Sequence, residues 1–138
     1  MEDAIALAVI KHRGQRDKAD EPYILHPLRV MLRLRGEDAR MAGILHDVVE
    51  DCGVTSDDLR ALGYPERVVR AVDLLSRRDD EPYETFIERL SVDPLARQVK
   101  LADLEDNLDV RRLPAITASD TERLSRYIAA RHRLLAAE

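Results

Sequence analysis

The 138 residues include one cysteine, Cys52, so no internal disulfide can form and a reducing, cytoplasmic setting is expected. There is no tryptophan, aromatic residues make up 4%, and the formal net charge is −5. A sequence-tolerant nucleic-acid binder needs a basic groove with stacking rings, so nucleic acid is excluded as an expected partner. The longest unbroken apolar run, Ala4 to Ile10, is too short to cross a bilayer, and no basic segment precedes it as in a signal peptide. No stretch alternates apolar and polar residues with period two, which argues against a sheet, and there is neither an internal repeat nor a linker.

What remains is a globular balance, 45% hydrophobic and 36% charged residues. The length suits a single domain over 1–138, able to bury roughly two-thirds of its unfolded surface. The apolar spacing is helical throughout. Ile5, Ala8, Val9 and His12 share one face and Gly14 supplies a stop; Pro27 opens a second helix through Met31 to Gly36. A third helix carries Met41, Ile44, Leu45, Val48 and Val49 and closes at Gly53. Thr55-x-x-Asp58 and Ser119-x-x-Glu122 read as capping boxes, and Pro65, Pro82 and Pro94 as helix starts. The last helix, 119–136, carries a stripe of Leu124, Tyr127, Ile128, Arg131 and Leu135 that could close the core or pair with another subunit. The fold class is therefore all-α, a compact bundle of seven or eight helices.

Chemistry concentrates on the polar side of the third helix. Gly43, His46, Asp47 and Glu50 share that side, with Asp51 one step round, and no lysine or arginine lies between 43 and 51. Three carboxylates there repel one another, and in the last turns of a helix the dipole disfavours them too. Such a cluster calls for a cation, for which Gly43 is expected to leave room. Neighbours His46 and Asp47, about 100° apart around the axis, can converge only on an ion lying between them. Further ligands must come from other helices. His26, fixed before Pro27, and Asp103, on a helix apolar on two sides, are the candidates, although a buried Asp103 could equally pair with an arginine. Two imidazoles with two carboxylates suit Mn²⁺ or Fe²⁺ and accept Zn²⁺ or Co²⁺. His12 and His132 read as packing residues, and Cys52 as a bystander.

These residues carry a resemblance. His26-Pro27, HDVVED at 46–51 and KLADLEDN at 100–107 resemble the metal-binding pattern of HD-superfamily phosphohydrolases. With HRGQRDKADEPYILHP, they are similar to the hydrolase domain of RelA/SpoT-type enzymes, above all the single-domain small alarmone hydrolases, from His12 to Asn107. The resemblance implies an HD-type helical domain binding one Mn²⁺, held by His26, His46, Asp47 and Asp103. It implies removal of pyrophosphate from the 3′ position of (p)ppGpp, with Glu50 and Asp51 handling protons at the attacking water and the leaving group. It further implies substrate contacts from Lys18 and Asn107, with Arg16 a neighbouring substitute for an arginine usual at position 17. The chain departs from the family at Asp17 and Asp20, where arginine and glycine are usual, and at Leu104 and Asp106, which replace arginine and histidine. Those departures touch base recognition and phosphate binding, not the metal set. Two rivals stand beside this expectation: a phosphatase for another nucleotide phosphate, and a non-catalytic nucleotide-binding module. Arg13, Arg16, Lys18 and Arg77 are candidates for a basic rim, while Arg78 reads as solvated surface. A homo-oligomer is compatible with the sequence.

Overall fold

The computed structural model describes all residues, 1–138, and contains nine α-helices and no strand. In chain order they are α1 (Glu2–Lys11), α2 (Leu25–Arg33), α3 (Glu37–Leu45), α4 (Val48–Cys52), α5 (Ser56–Ala61), α6 (Glu66–Leu74), α7 (Tyr83–Ser91), α8 (Pro94–Asn107) and α9 (Ala118–Ala136). A short 3-10 turn, Val110–Arg112, links the last two. No helix is long and apolar enough to cross a membrane.

Helix α3 sits at the centre, packed by α1, α2, α6 and α8. Its residues Ala42, Ile44 and Leu45 are fully buried, joined in one core by Val30 of α2, Val68, Val69 and Val72 of α6, and Val99 and Leu104 of α8. Each such aliphatic side chain contributes roughly 1.5–3 kcal/mol on leaving water. The close contact of α2 with α3 depends on Gly43. A Cβ there would meet Leu34 Cδ1 at 2.6 Å and Met31 Cα at 3.4 Å. Gly43 therefore makes room for α2 and not for a cation, contrary to the sequence expectation.

The starts at Pro65, Pro82 and Pro94 and the Thr55–Asp58 capping box appear as expected. Other expectations are corrected. Helix α2 begins at Leu25, two residues before Pro27, and ends at Arg33 before Gly36, the proline being tolerated within the first turn, where its missing N–H is not needed. The third helix is two, broken at His46–Asp47, which raises the count to nine. In an unbroken helix the Gly43 carbonyl would accept from the Asp47 amide; here it accepts from His46 Nδ1 at 2.6 Å, and Asp47 opens to ψ −5°. The final capping box is Thr117–Asp120, two residues earlier than Ser119–Glu122. Helix α9 turns Ala130 and Leu134 inward, leaving Ile128 and Leu135 largely exposed. In α1 the buried positions are Ala4, Ala8 and His12, with Ile5 half-buried and Val9 outside.

Candidate active site

The break between α3 and α4 positions the site. It tucks His46 into the interior and places Asp47 at the N-cap of α4, so that Glu50 and Asp51 fall in the first turn of α4. Helix α4 is a single five-residue turn, so the dipole conflict expected of a long third helix is much reduced.

Three of the four expected ligands form a tight group. The ligand atoms of His26, His46 and Asp103 all lie within 4.8 Å of one another, and all three residues are buried. The Nε2 of His26 is 3.0 Å from Asp103 Oδ1, and that of His46 is 3.6 Å from the same oxygen. Asp47 adjoins the group, its Oδ2 lying 3.0 Å from His46 Nε2 and 3.8 Å from His26 Nε2. Both rings are held from behind: His46 Nδ1 donates to Gly43 O, and His26 Nδ1 donates to Asp106 Oδ2 at 2.7 Å. With Nδ1 engaged in each ring, Nε2 is the nitrogen that faces the cluster, the arrangement of a metal-ligating histidine. His46 Nε2 is buried and has no hydrogen-bond partner in the protein, a costly state unless something outside the chain completes it. The donor set and this orphaned nitrogen fit a divalent cation.

The electrostatics favour positive charge at this point. Burial alone would discharge the imidazoles, but the carboxylates of Asp47, Asp103 and Asp106 around them overcome it and raise both pKa values. Burial likewise opposes ionisation of Asp47 and Asp103, yet the imidazoles, and for Asp103 first of all Lys100, hold both carboxyls low. A cation binding the same atoms would displace the imidazole protons. Asp103 does make an ion pair, to Lys100 Nζ at 2.7 Å rather than to an arginine, and it also receives the Asn107 amide at 2.9 Å. Tyr23 donates to Asp47 Oδ2, and its burial, with the charge of Asp47 next, pushes its phenol pKa up.

The cluster lies at a cavity of about 590 Å³. Glu50 and Asp51 line its accessible edge, and partial burial followed by the charge of Asp47 raises both their pKa values. Arg16, Lys18, Arg77 and Asn107 also line it, whereas Arg13 does not and Arg78 pairs with Asp73 at 3.5 Å. Asp17 is present too, but its Oδ1 accepts from the amides of Ala19 and Glu21, so its charge is engaged in holding its own loop. Sequence reasoning missed the other walls: Tyr23, Tyr83 and Tyr127, and the cations Arg29, Arg112 and Arg123. The final helix contributes two of these, and only their one-turn spacing, Arg123 to Tyr127, hinted at a shared face. His12 packs inside, its Nδ1 bonded to Gln15 and beside Cys52 and its Nε2 buried without a partner, and His132 is exposed.

Fold and site together define an HD-type helical domain, in which two buried histidines and two aspartates from α2, the α3–α4 junction and α8 meet beneath a polar cavity. No protein-family model matches the chain. Known proteins do. The Drosophila melanogaster guanosine-3′,5′-bis(diphosphate) 3′-pyrophosphohydrolase MESH1 is 33% identical over 91% of this chain and 76% of its own length. A Vibrio cholerae protein named guanosine-3′,5′-bis(diphosphate) 3′-pyrophosphohydrolase is 32% identical over 89% of this chain. This chain spans 20% of that longer bacterial relative. The solved structure of a metazoan orthologue of SpoT, described as hydrolysing ppGpp, matches with TM-score 0.78 at 27% identity, covering 99% of this chain and 83% of that one. The chain belongs to the family of MESH1-type guanosine-3′,5′-bis(diphosphate) 3′-pyrophosphohydrolases.

Proposed function

We propose that this chain hydrolyses (p)ppGpp, releasing pyrophosphate from the 3′ position and leaving GDP or GTP. The observation that carries the reading is the convergence of His26, His46 and Asp103 on one point, with Asp47 adjoining, beneath a cavity lined by cationic side chains. These four residues would hold a divalent ion, Mn²⁺ by our assignment from the mixed nitrogen and oxygen donors, although the same set accepts Fe²⁺, Co²⁺ or Zn²⁺. When bound, the ion supplies a more acidic water and neutralises charge on the phosphoryl oxygens.

The chain's own residues do the rest. Glu50 and Asp51 stand one helical turn beyond His46 and Asp47, and their raised pKa values suit groups that take a proton from the attacking water and return one to the 3′ oxygen. Arg16 and Lys18 offer charge to the phosphates from the loop between α1 and α2. Asn107, already donating to Asp103, keeps its carbonyl oxygen for the ribose side of the substrate. Water is kept from the rear of the site by the core that buries both imidazoles.

The test is direct. Mn²⁺-loaded protein incubated with ppGpp should give pyrophosphate and GDP. An inert alarmone beside turnover of another nucleotide phosphate would transfer the site to a different phosphorylated nucleotide, and absence of any released phosphate would reduce it to a binding module.

A further inference from the structure

The proposed reaction gives Asp106 no task, although it is the most completely buried charged side chain of the molecule, at 0% exposure. It lies three residues after Asp103 on α8, so both carboxylates leave the same face of that helix. They meet the same imidazole from opposite edges: Asp103 Oδ1 lies 3.0 Å from His26 Nε2, and Asp106 Oδ2 lies 2.7 Å from His26 Nδ1. The charge of Asp106 is balanced on its other side. Arg29 Nε donates to Oδ1 at 2.8 Å, and the guanidiniums of Arg33 and Arg112 stand 3.6 Å away.

We propose that Asp106 is the positioning residue of the metal centre, fixing His26 in the tautomer and orientation that present Nε2 to the ion. A buried carboxylate anchored by guanidiniums cannot move to follow the ring, so the ring must conform to it. His46 is held differently, by the backbone carbonyl of Gly43. Of the two imidazoles, only His26 therefore depends on a side chain for its orientation. The proposal rests on the metal reading above, and its tests keep the two apart.

Asparagine at 106 keeps the shape but has one acceptor oxygen and an NH₂ group. Either His26 Nδ1–H or Arg29 Nε–H must then face a donor, and one of the two bonds is lost. Asp106→Asn is expected to bind Mn²⁺ 10–100-fold more weakly by calorimetry, the range typical for loss of such outer partners, with an unchanged helical circular dichroism spectrum. Arg29→Ala leaves the acceptor oxygen and the Arg33 and Arg112 guanidiniums in place and should lose less Mn²⁺ affinity than Asp106→Asn. Equal losses in the two variants would make Asp106 the centre of a structural ion cluster and overturn the proposal, as would wild-type affinity in Asp106→Asn. Imidazole ¹⁵N spectra of the metal-free wild type, at alkaline pH where the ring is neutral, provide a reading that needs no variant and no ion. His26 must carry its proton on Nδ1; a proton on Nε2 overturns the assignment even if Asp106→Asn fails to fold. Wild-type protein that binds no Mn²⁺ would sink the metal reading alone, since the ¹⁵N spectra would still decide whether Asp106 governs the ring.

Discussion

At the scale of single residues, the chain separates groups that react from groups that hold. Glu50 lines the cavity edge, makes no side-chain hydrogen bond to another side chain, and has its pKa raised by partial burial and by Asp47 and Asp51. Replacing it with glutamine should lower kcat by about 10²–10⁴, the usual contribution of a positioned acid or base, while leaving Mn²⁺ affinity near wild type. Loss of metal binding in Glu50→Gln would instead make it a ligand. Glu81 has the opposite character. Its carboxylate takes two bonds from Arg89, at 2.9 and 3.0 Å, and one from the Arg78 amide, fastening the loop that carries Arg77 to the cavity. Those bonds, the Arg89 pair first, hold its pKa at about 2, below the ordinary 4.5. A carboxyl depressed in the folded state stabilises the protein above its unfolded pKa and loses that contribution as pH falls toward its folded pKa. In urea titrations wild type should therefore exceed Glu81→Gln at pH 7, and the gap should narrow by pH 3; a gap of constant width would show that the charge is not what holds the loop.

At the scale of elements, helices that begin at a proline or a Thr-x-x-Asp box were legible because a local rule decides them. The α6, α7 and α8 starts needed nothing from the rest of the chain. The break after Leu45 was not legible, because the apolar stripe from Met41 to Val49 runs through it without a glycine or proline at the break itself. What ends α3 is a side chain that competes for a backbone carbonyl, and composition cannot show that competition. The α9 stripe was misplaced for a related reason: Ala130, a small residue with little weight in a hydrophobicity pattern, is where the helix is buried, while larger Ile128 looks outward. The candidate ligands His26, His46, Asp47 and Asp103 could be named from the sequence through their motifs, and the fold brings them together; Tyr23 and Asp106, which bond Asp47 and His26, are ordinary until the fold brings them near. Gly43 gives an element-scale test. Alanine is the better helix former by about 1 kcal/mol, but its methyl would enter the space of Leu34 Cδ1, so that this buried side chain would have to move within the core. Overpacking of that kind costs about 1–3 kcal/mol, so Gly43→Ala should be net destabilising in chemical denaturation, and a stabilised variant would mean that α2 can yield.

At the scale of the molecule, the site joins parts of the chain that otherwise touch mainly through apolar packing. His26 enters with α2, His46 and Asp47 with the α3–α4 junction, and Asp103 with α8, so an ion held by them ties positions 26, 46–47 and 103 together. In the unfolded chain these donors are far apart and cannot act as one site, so the ion binds the folded state and stabilises it by mass action. At a free concentration one hundred times its Kd the gain is about 2.7 kcal/mol, which for a chain of this size raises the melting temperature by on the order of 10 °C. Differential scanning calorimetry of the Mn²⁺-loaded protein and of the protein in excess EDTA should show that difference. His46→Ala should abolish it without bringing the EDTA-treated variant's own transition up to that of the loaded wild type. The shift should also grow with added Mn²⁺ as the logarithm of its concentration, because each tenfold excess contributes a further 1.4 kcal/mol or so. A melting temperature indifferent to the ion would mean that the three segments are already held at full strength by packing and by the Asp103–Lys100 pair, and that the four donors do not act as a single site.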